Sequence, residues 1–152
     1  AGGEEGVAKT VYTVGHSNRS FEEFLGLIRA YGVKVVADVR SRPRSSWAPW
    51  SERGTLAELL EREGLGYVWL GELLGGFRRG GFKEYMKTEG YRRGVEELVA
   101  VVESSPGHVA VMCREKLWFK CHRRHIAGSL ASLGYRVVHV VDGRRYHVHR
   151  VL

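Results

Sequence analysis

The sequence predicts a single three-layer α/β domain over 10–152, with a mainly parallel five-stranded sheet and a C-terminal strand returning antiparallel as a hairpin. Two observations carry this reading. Short apolar runs alternate with stretches whose apolar residues recur at helical spacing, and a glycine closes several of those stretches just before the next run. The 152 residues suffice to bury a core without disulfide or metal staples, and no linker divides them.

The opening residues, AGGEEG, begin a flexible tail over 1–9, ahead of a first strand at Thr10 to Val14. Ser20 and Glu23 form a capping box for a helix with Phe21, Phe24, Leu25 and Ile28 on one face, stopped by Gly32. Val33 to Val39 is the second strand. Thr55 and Glu58 repeat the capping pattern for a helix over Leu56, Leu59 and Leu60 that ends at Gly64, and Tyr67 to Leu70 is the third strand. Phe82 to Met86 is a short helix, and Tyr91 to Glu103 a longer one whose stripe is Val95, Leu98, Val99 and Val102. His108 to Met112 is the fourth strand. A helix beginning near Cys121 turns Ile126, Ala127, Leu130 and Leu133 inward and ends at Gly134, before a fifth strand at Arg136 to Val141. Asp142-Gly143 signals a hairpin, so Tyr146 to Val151 returns antiparallel.

With 24 Lys plus Arg against 17 Asp plus Glu, the net charge of +7 draws polyanions: nucleic acid, nucleotides or phosphorylated metabolites. Arginine outnumbers lysine, glutamine is absent and Asn18 is the sole asparagine, a bias compatible with a thermophile that makes part of the charge surface style. No apolar run approaches the roughly 20 residues of a membrane span and no signal-peptide core opens the chain. The expectation is a cytoplasmic protein without membrane association, its two cysteines free thiols.

Open α/β sheets bind ligands beyond the carboxyl ends of their strands. Segments 15–18, 40–54, 71–81 and 113–120 fall there, and the residues capable of chemistry gather in them. His16, Ser17 and Asn18 follow the first strand, facing the crevice or only shaping the turn. Asp38 and Arg40 share a face of the second strand, either as base and anion fork or as a structural ion pair. The loop that follows interleaves Arg40, Arg42, Arg44 and Arg53 with Trp47 and Trp50, which suits a phosphate backbone with stacked bases, a lid over a phosphorylated substrate, or a dimer contact. Glu72 lies in a glycine-rich run that fits neither the Walker nor the dinucleotide pattern and reads first as a tight turn, with Arg78 and Arg79 beyond it.

Around VAVMCREKLWFKCHRRHIA, Cys121 is the candidate nucleophile or redox thiol, set among helix N–H groups and the cations of His122, Arg123 and Arg124. Cys113 reads as a supporting, inert thiol. Glu115 is a candidate acid or base, or else the ion-pair partner of Arg123 or Arg40. The seven residues between the cysteines match no common zinc spacing, and no cofactor is called for. His139, His147 and His149 alternate in the terminal hairpin, which an exposed strand face explains more simply than a metal.

Together Thr13-Val14-Gly15-His16-Ser17, Asp38-Val39-Arg40-Ser41 with Pro43 and Ser45, Tyr67 with the run from Leu70 to Gly76, and Met112-Cys113-Arg114-Glu115 leading to Cys121-His122-Arg123 with Ile126-Ala127 resemble the domain of unknown function 488 family. The resemblance runs in order over nearly the whole chain and implies a small cytoplasmic α/β domain using the same positions. Arg114 departs from it, standing where relatives carry a small residue, as does Leu117-Trp118-Phe119, an apolar stretch fit to cover the site or meet a partner. The leading expectation is an enzyme acting on a phosphate-bearing substrate, with Cys121 as nucleophile, Arg40 and Arg123 as phosphate clamps, and Asp38, Glu115 or His16 transferring the proton. The alternatives are a non-catalytic nucleic-acid-binding module and a thiol redox sensor pairing Cys113 with Cys121.

Overall fold

The computed structural model of the chain describes residues 9–150, so the expected tail up to residue 8 and the end of the expected last strand at Val151 lie outside the described residues. Six strands form one sheet: β1 (Thr10–Gly15), β2 (Val33–Asp38), β3 (Gly66–Trp69), β4 (His108–Cys113), β5 (Arg136–Val140) and β6 (Tyr146–Val148), in the spatial order β3-β2-β4-β1-β5-β6. The first five run parallel, and β6 joins β5 antiparallel with His139 opposite His147.

The helices are α1 (Phe21–Ala30), α2 (Arg53–Arg62), α3 (Gly71–Leu74), α4 (Phe82–Tyr85), α5 (Glu89–Ser104) and α6 (Arg123–Ser132). Phe24 and Ile28 of α1 and Leu56 and Leu60 of α2 pack with Val14, Val36, Ala110 and Met112 on one face of the sheet. Leu98 and Val102 of α5 and Ile126 and Leu130 of α6 pack with Val11, Ala37, Val109 and Val111 on the other. Strand side chains alternate, so β4 feeds both cores, as its unbroken apolar run VAVMC requires.

Local chemistry explains the helix boundaries. The capping box of α1 forms, Glu23 N–H donating to Ser20 Oγ at 3.0 Å and Ser20 N–H to Glu23 Oε1 at 2.8 Å. At α2 the expected Thr55 cap gives way to Glu52, whose carboxylate accepts the N–H groups of Gly54 and Thr55 at 3.1 and 3.0 Å. A charged acceptor at the positive end of a helix outcompetes a hydroxyl. The glycine-rich run after β3 forms the short helix α3 in place of a turn. Leu133, expected inward, is the C-cap of α6 and is exposed. That helix starts at Arg123, which leaves Cys121 in extended backbone just ahead of it.

β4 lies between β1 and β2. The chain leaves β1 and β2 for α1 and α2 on one face, and β4 for α6 on the other, so the connections part at the carboxyl end of β4 and open a crevice there. Gly15 sits at this parting, where the N–H groups of His16 and Ser17 donate to the carbonyls of Cys113 and Arg114 at 3.0 and 2.9 Å. A Cβ on Gly15 would lie 1.7 Å from the Glu115 carbonyl oxygen. Gly15→Ala is therefore expected to lower the unfolding free energy in urea by about 3 kcal/mol, through overpacking of two crossing backbones. Gly26→Ala, in the exposed interior of α1 with open space around its Cβ, should instead raise it by about 0.5 kcal/mol.

Candidate functional site

Asp38 ends β2, and Arg40 follows two residues later with its side chain on the same face; both are buried. Arg40 Nε and Nη2 donate to the two carboxylate oxygens of Asp38 at 2.9 and 2.7 Å. The other donors reach His16 Nε2 at 3.2 Å, Ser51 Oγ at 3.0 Å and the Ser51 carbonyl at 2.6 Å. A guanidinium has five N–H donors, and all of them are engaged inside the protein. Asp38 also accepts the Arg40 backbone N–H at 3.0 Å and the Tyr67 hydroxyl at 2.6 Å. The pair expected as base and anion fork is thus a frame joining the ends of β1 and β2, and Tyr67 of β3, to the 3-10 turn at Pro49–Ser51. Burial, with the Asp38 carboxylate beside it, raises the Tyr67 hydroxyl well above its ordinary value. His16 Nδ1–H donates to the Ser17 carbonyl at 2.9 Å, so Nε2 is the acceptor from Arg40. Burial, aided by Arg40, lowers this imidazole to about 4, and both its nitrogens are occupied.

Cys113 is buried at the carboxyl end of β4, and Cys121, half-buried, precedes α6. Cys113 Sγ lies 3.6 Å from the Glu115 carbonyl oxygen, and each of the two thiols shifts the ionisation of the other. Cys121 Sγ also receives the Arg123 N–H at 3.5 Å and lies 3.4 Å from His122 Nδ1. His122 Nε2–H donates to the Val39 carbonyl at 3.0 Å, which turns the lone pair of Nδ1 toward that sulfur. Burial lowers His122 to about 4.

Arg123, expected as a phosphate clamp, is wholly buried and does not line the crevice. Its Nη2 donates to the Lys116 carbonyl at 2.9 Å, while among the described residues Nε and Nη1 meet no acceptor. A buried cation so poorly compensated favours an anion beside it. Burial pushes the Cys113 thiol up, yet its interaction with the Cys121 thiol and the charge of Arg123 outweigh burial and hold it below its ordinary value. Cys121 is raised by that same interaction and by burial. In such a coupled pair one proton leaves early and the other late. The sulfur favoured as thiolate is therefore Cys113, expected to be inert, while Cys121 retains its proton.

Above this pair opens a crevice of about 460 Å³, walled by Arg42, Arg44, Arg114 and Lys120, with Glu115 as its carboxylate. Among the described residues neither these four cations nor Glu115 takes part in an ion pair, so the expected Glu115 pairing with Arg40 or Arg123 does not form. The guanidinium of Arg42 stands 5.4 Å from the Phe77 ring centre and that of Arg114 3.8 Å from the Trp47 ring centre.

Ser17, with φ of 53°, faces an adjoining hollow shared with Trp47, Glu115 and Lys120. Asn18 is exposed and accepts the Ser17 hydroxyl at 3.4 Å, a turn contact. Glu72 lines a separate hollow with Arg93 and Glu97, apart from the cysteines. Cys113, Cys121, His122, Glu115, Arg42 and Arg44 thus come together, and Glu72 and Asn18 stand away. Sequence reasoning passed over Arg114 and Lys120 as ligand contacts; the position of Arg114 directly after the strand-ending Cys113 was the available signal. His139, expected on an exposed face, is buried with its ring stacked 4.4 Å from that of Trp118.

Among the described residues no helix is long and apolar enough to cross a membrane, and no group of three or more His, Cys, Asp and Glu could hold a metal ion. A sequence model of the family described as Domain of unknown function DUF488 matches residues 20–130. No curated protein and no solved structure matches the chain.

Arg40→Met leaves the Asp38 carboxylate buried without its counter-charge and is expected to cost about 3–5 kcal/mol in urea unfolding, against about 1–2 kcal/mol for Tyr67→Phe. The buried imidazoles set the acid limb of stability. His16 and His122 titrate near 4 when folded and near 6.5 when unfolded, so on acidification the unfolded chain binds their protons first. Their contribution is complete above about pH 6.5 and is lost as pH falls toward 4. The urea midpoint should drop across that window, and His122→Asn should flatten the drop.

Proposed function

The chain belongs to the family Domain of unknown function DUF488, and from the chemistry of its crevice we propose that it is an enzyme that binds a phosphate-bearing substrate, a nucleotide or nucleic acid, and attacks it with a cysteine. One observation carries this reading: four cations without ion-pair partners among the described residues surround a single cavity whose lining includes both thiols. Arg42, Arg44, Arg114 and Lys120 supply the charge that a phosphate group needs. Arg40 and Arg123 have other work, the first in the frame of the strand ends and the second as the buried charge beside the sulfurs.

Cys121 is the more accessible sulfur and acts as the nucleophile. Its proton passes to the Cys113 thiolate as its sulfur bonds to phosphorus, and the departing oxygen takes a proton from solvent. Water then cleaves the sulfur–phosphorus bond and yields its proton to the Glu115 carboxylate, which returns it to solvent. Cys121 leaves as thiolate and recovers its proton from Cys113, restoring the starting state. Free thiols of this kind suit a reducing compartment such as the cytoplasm. A second reading, nucleic-acid binding without turnover, is favoured by Trp47 and Phe77, which are exposed beside the cations.

Turnover of a chromogenic phosphate mono- or diester, together with the rate of Cys121 alkylation at neutral pH, tests the proposal. Cys121→Ser should abolish turnover, and Cys113→Ser and Glu115→Gln should each lower it about a hundredfold. Inorganic phosphate should slow alkylation of Cys121. Turnover that survives Cys121→Ser would refute the nucleophile assignment, and binding without any turnover would favour the second reading.

A further inference from the structure

The loops at the carboxyl ends of the strands carry many arginines and aromatic rings, and the structure divides them into two groups. Trp50 packs edge-on to Phe21 and His16 and donates its indole N–H to the Arg19 carbonyl at 2.8 Å. Arg78 donates to the carbonyls of Gly75 and Glu72 at 2.8 and 2.6 Å. These side chains hold the fold together. Phe77 and Trp47 do not: they are 72% and 44% exposed, each with a guanidinium poised over its ring. An exposed ring paired with a cation in this way offers a stacking platform for a planar base.

The crevice is also longer than one phosphate requires. It shares Arg44 and Arg114 with a hollow over Ser45, Ser46 and Pro49, and Glu115 and Lys120 with a second that reaches Lys116 and Trp47. The three join into a trough that has Phe77 along one part and Trp47 along another. Seven cations line it, and with Arg40 and Arg145 paired to Asp38 and Asp142 it keeps Arg42, Arg44, Arg114, Lys116 and Lys120 against the single lining carboxylate of Glu115.

We infer that this trough binds single-stranded nucleic acid, with a phosphate held above Cys113 and Cys121 and bases stacked on Phe77 and Trp47. A mononucleotide offers one base and cannot use two separated rings. A duplex keeps its bases stacked on one another and presents its phosphates on a convex surface, so it cannot place a phosphate in the crevice and a base on either ring. Single strands meet both demands, because each successive base has a free face and the backbone can follow a groove of positive charge. The inference rests on the phosphate reading of the crevice and extends it to a polymeric substrate.

Fluorescence anisotropy with a short labelled oligothymidylate, set beside a duplex of equal length, provides the test. The single strand should bind at least about tenfold more tightly than the duplex, and Phe77→Ala and Trp47→Ala should each weaken it about tenfold. Its affinity should fall with salt by a log–log slope of about 0.7 for each phosphate neutralised. Phe77→Tyr and Trp47→Phe, which keep a ring, should hold affinity within about threefold and so separate stacking from misfolding. Suppose inorganic phosphate protects Cys121 from alkylation while the oligothymidylate binds no better than duplex or ignores the loss of both rings. The single-strand inference is then overturned and the crevice reading stands. If phosphate gives no protection, both fall together.

Discussion

The bidentate contact between Asp38 and Arg40 is the constraint on which the rest of the site depends. Burying both charges carries a desolvation cost of several kcal/mol per ion, recovered only when every remaining donor and acceptor is met. Here Ser51, His16 and Tyr67 complete the set, and each comes from a different part of the chain. The consequence is positional. The Arg40 carbonyl accepts the Trp69 indole N–H at 2.8 Å, and Ser41 Oγ accepts the Phe77 N–H at 3.0 Å. The loop bearing Arg42, Arg44 and Trp47 therefore leaves from a fixed point and meets the glycine-rich segment at another.

The two buried arginines form a deliberate contrast in electrostatics. Arg40 has a carboxylate and a full complement of acceptors, so its charge is neutralised where it stands. Arg123 has a single carbonyl and lies in the field of two sulfurs, of Arg19 and of His139. Burial, with the nearby Arg123, lowers His139 to about 2, so that imidazole stays neutral and adds no charge of its own. Trp118, stacked on His139 and His147, covers this region from the loop ahead of α6. The uncompensated charge of Arg123 is thus directed at the cysteine pair, and the solvent-facing cations are free for a ligand.

Much of this was legible in the sequence. Short apolar runs and helical stripes gave the strands and helices, the Ser20 and Glu23 box gave the start of α1, and the strand-end rule gave the right edge of the sheet. What escaped depends on partners that arrive from elsewhere in the chain. Spacing places Asp38 and Arg40 on one face, but only the fold brings Ser51 and His16 to exhaust the guanidinium. Glu72 lies in a loop at the correct edge, yet the helical turn of α3 aims it away. Cys121 looked the more acidic thiol because cations follow it in sequence. In the structure the Arg123 charge favours ionisation of both sulfurs, and the interaction between the two thiols passes the preference to Cys113 at the strand end.

The central claim is that a buried, uncompensated Arg123 gives this pair of thiols one early ionisation. Ultraviolet titration of thiolate absorbance in the native protein and in Arg123→Met measures it directly. The native chain should form one thiolate below the ordinary thiol value of about 8.5 and a second only far above it, and Arg123→Met should move the first upward. Two thiols that both ionise above the ordinary value in the native protein, unchanged by Arg123→Met, would contradict the account.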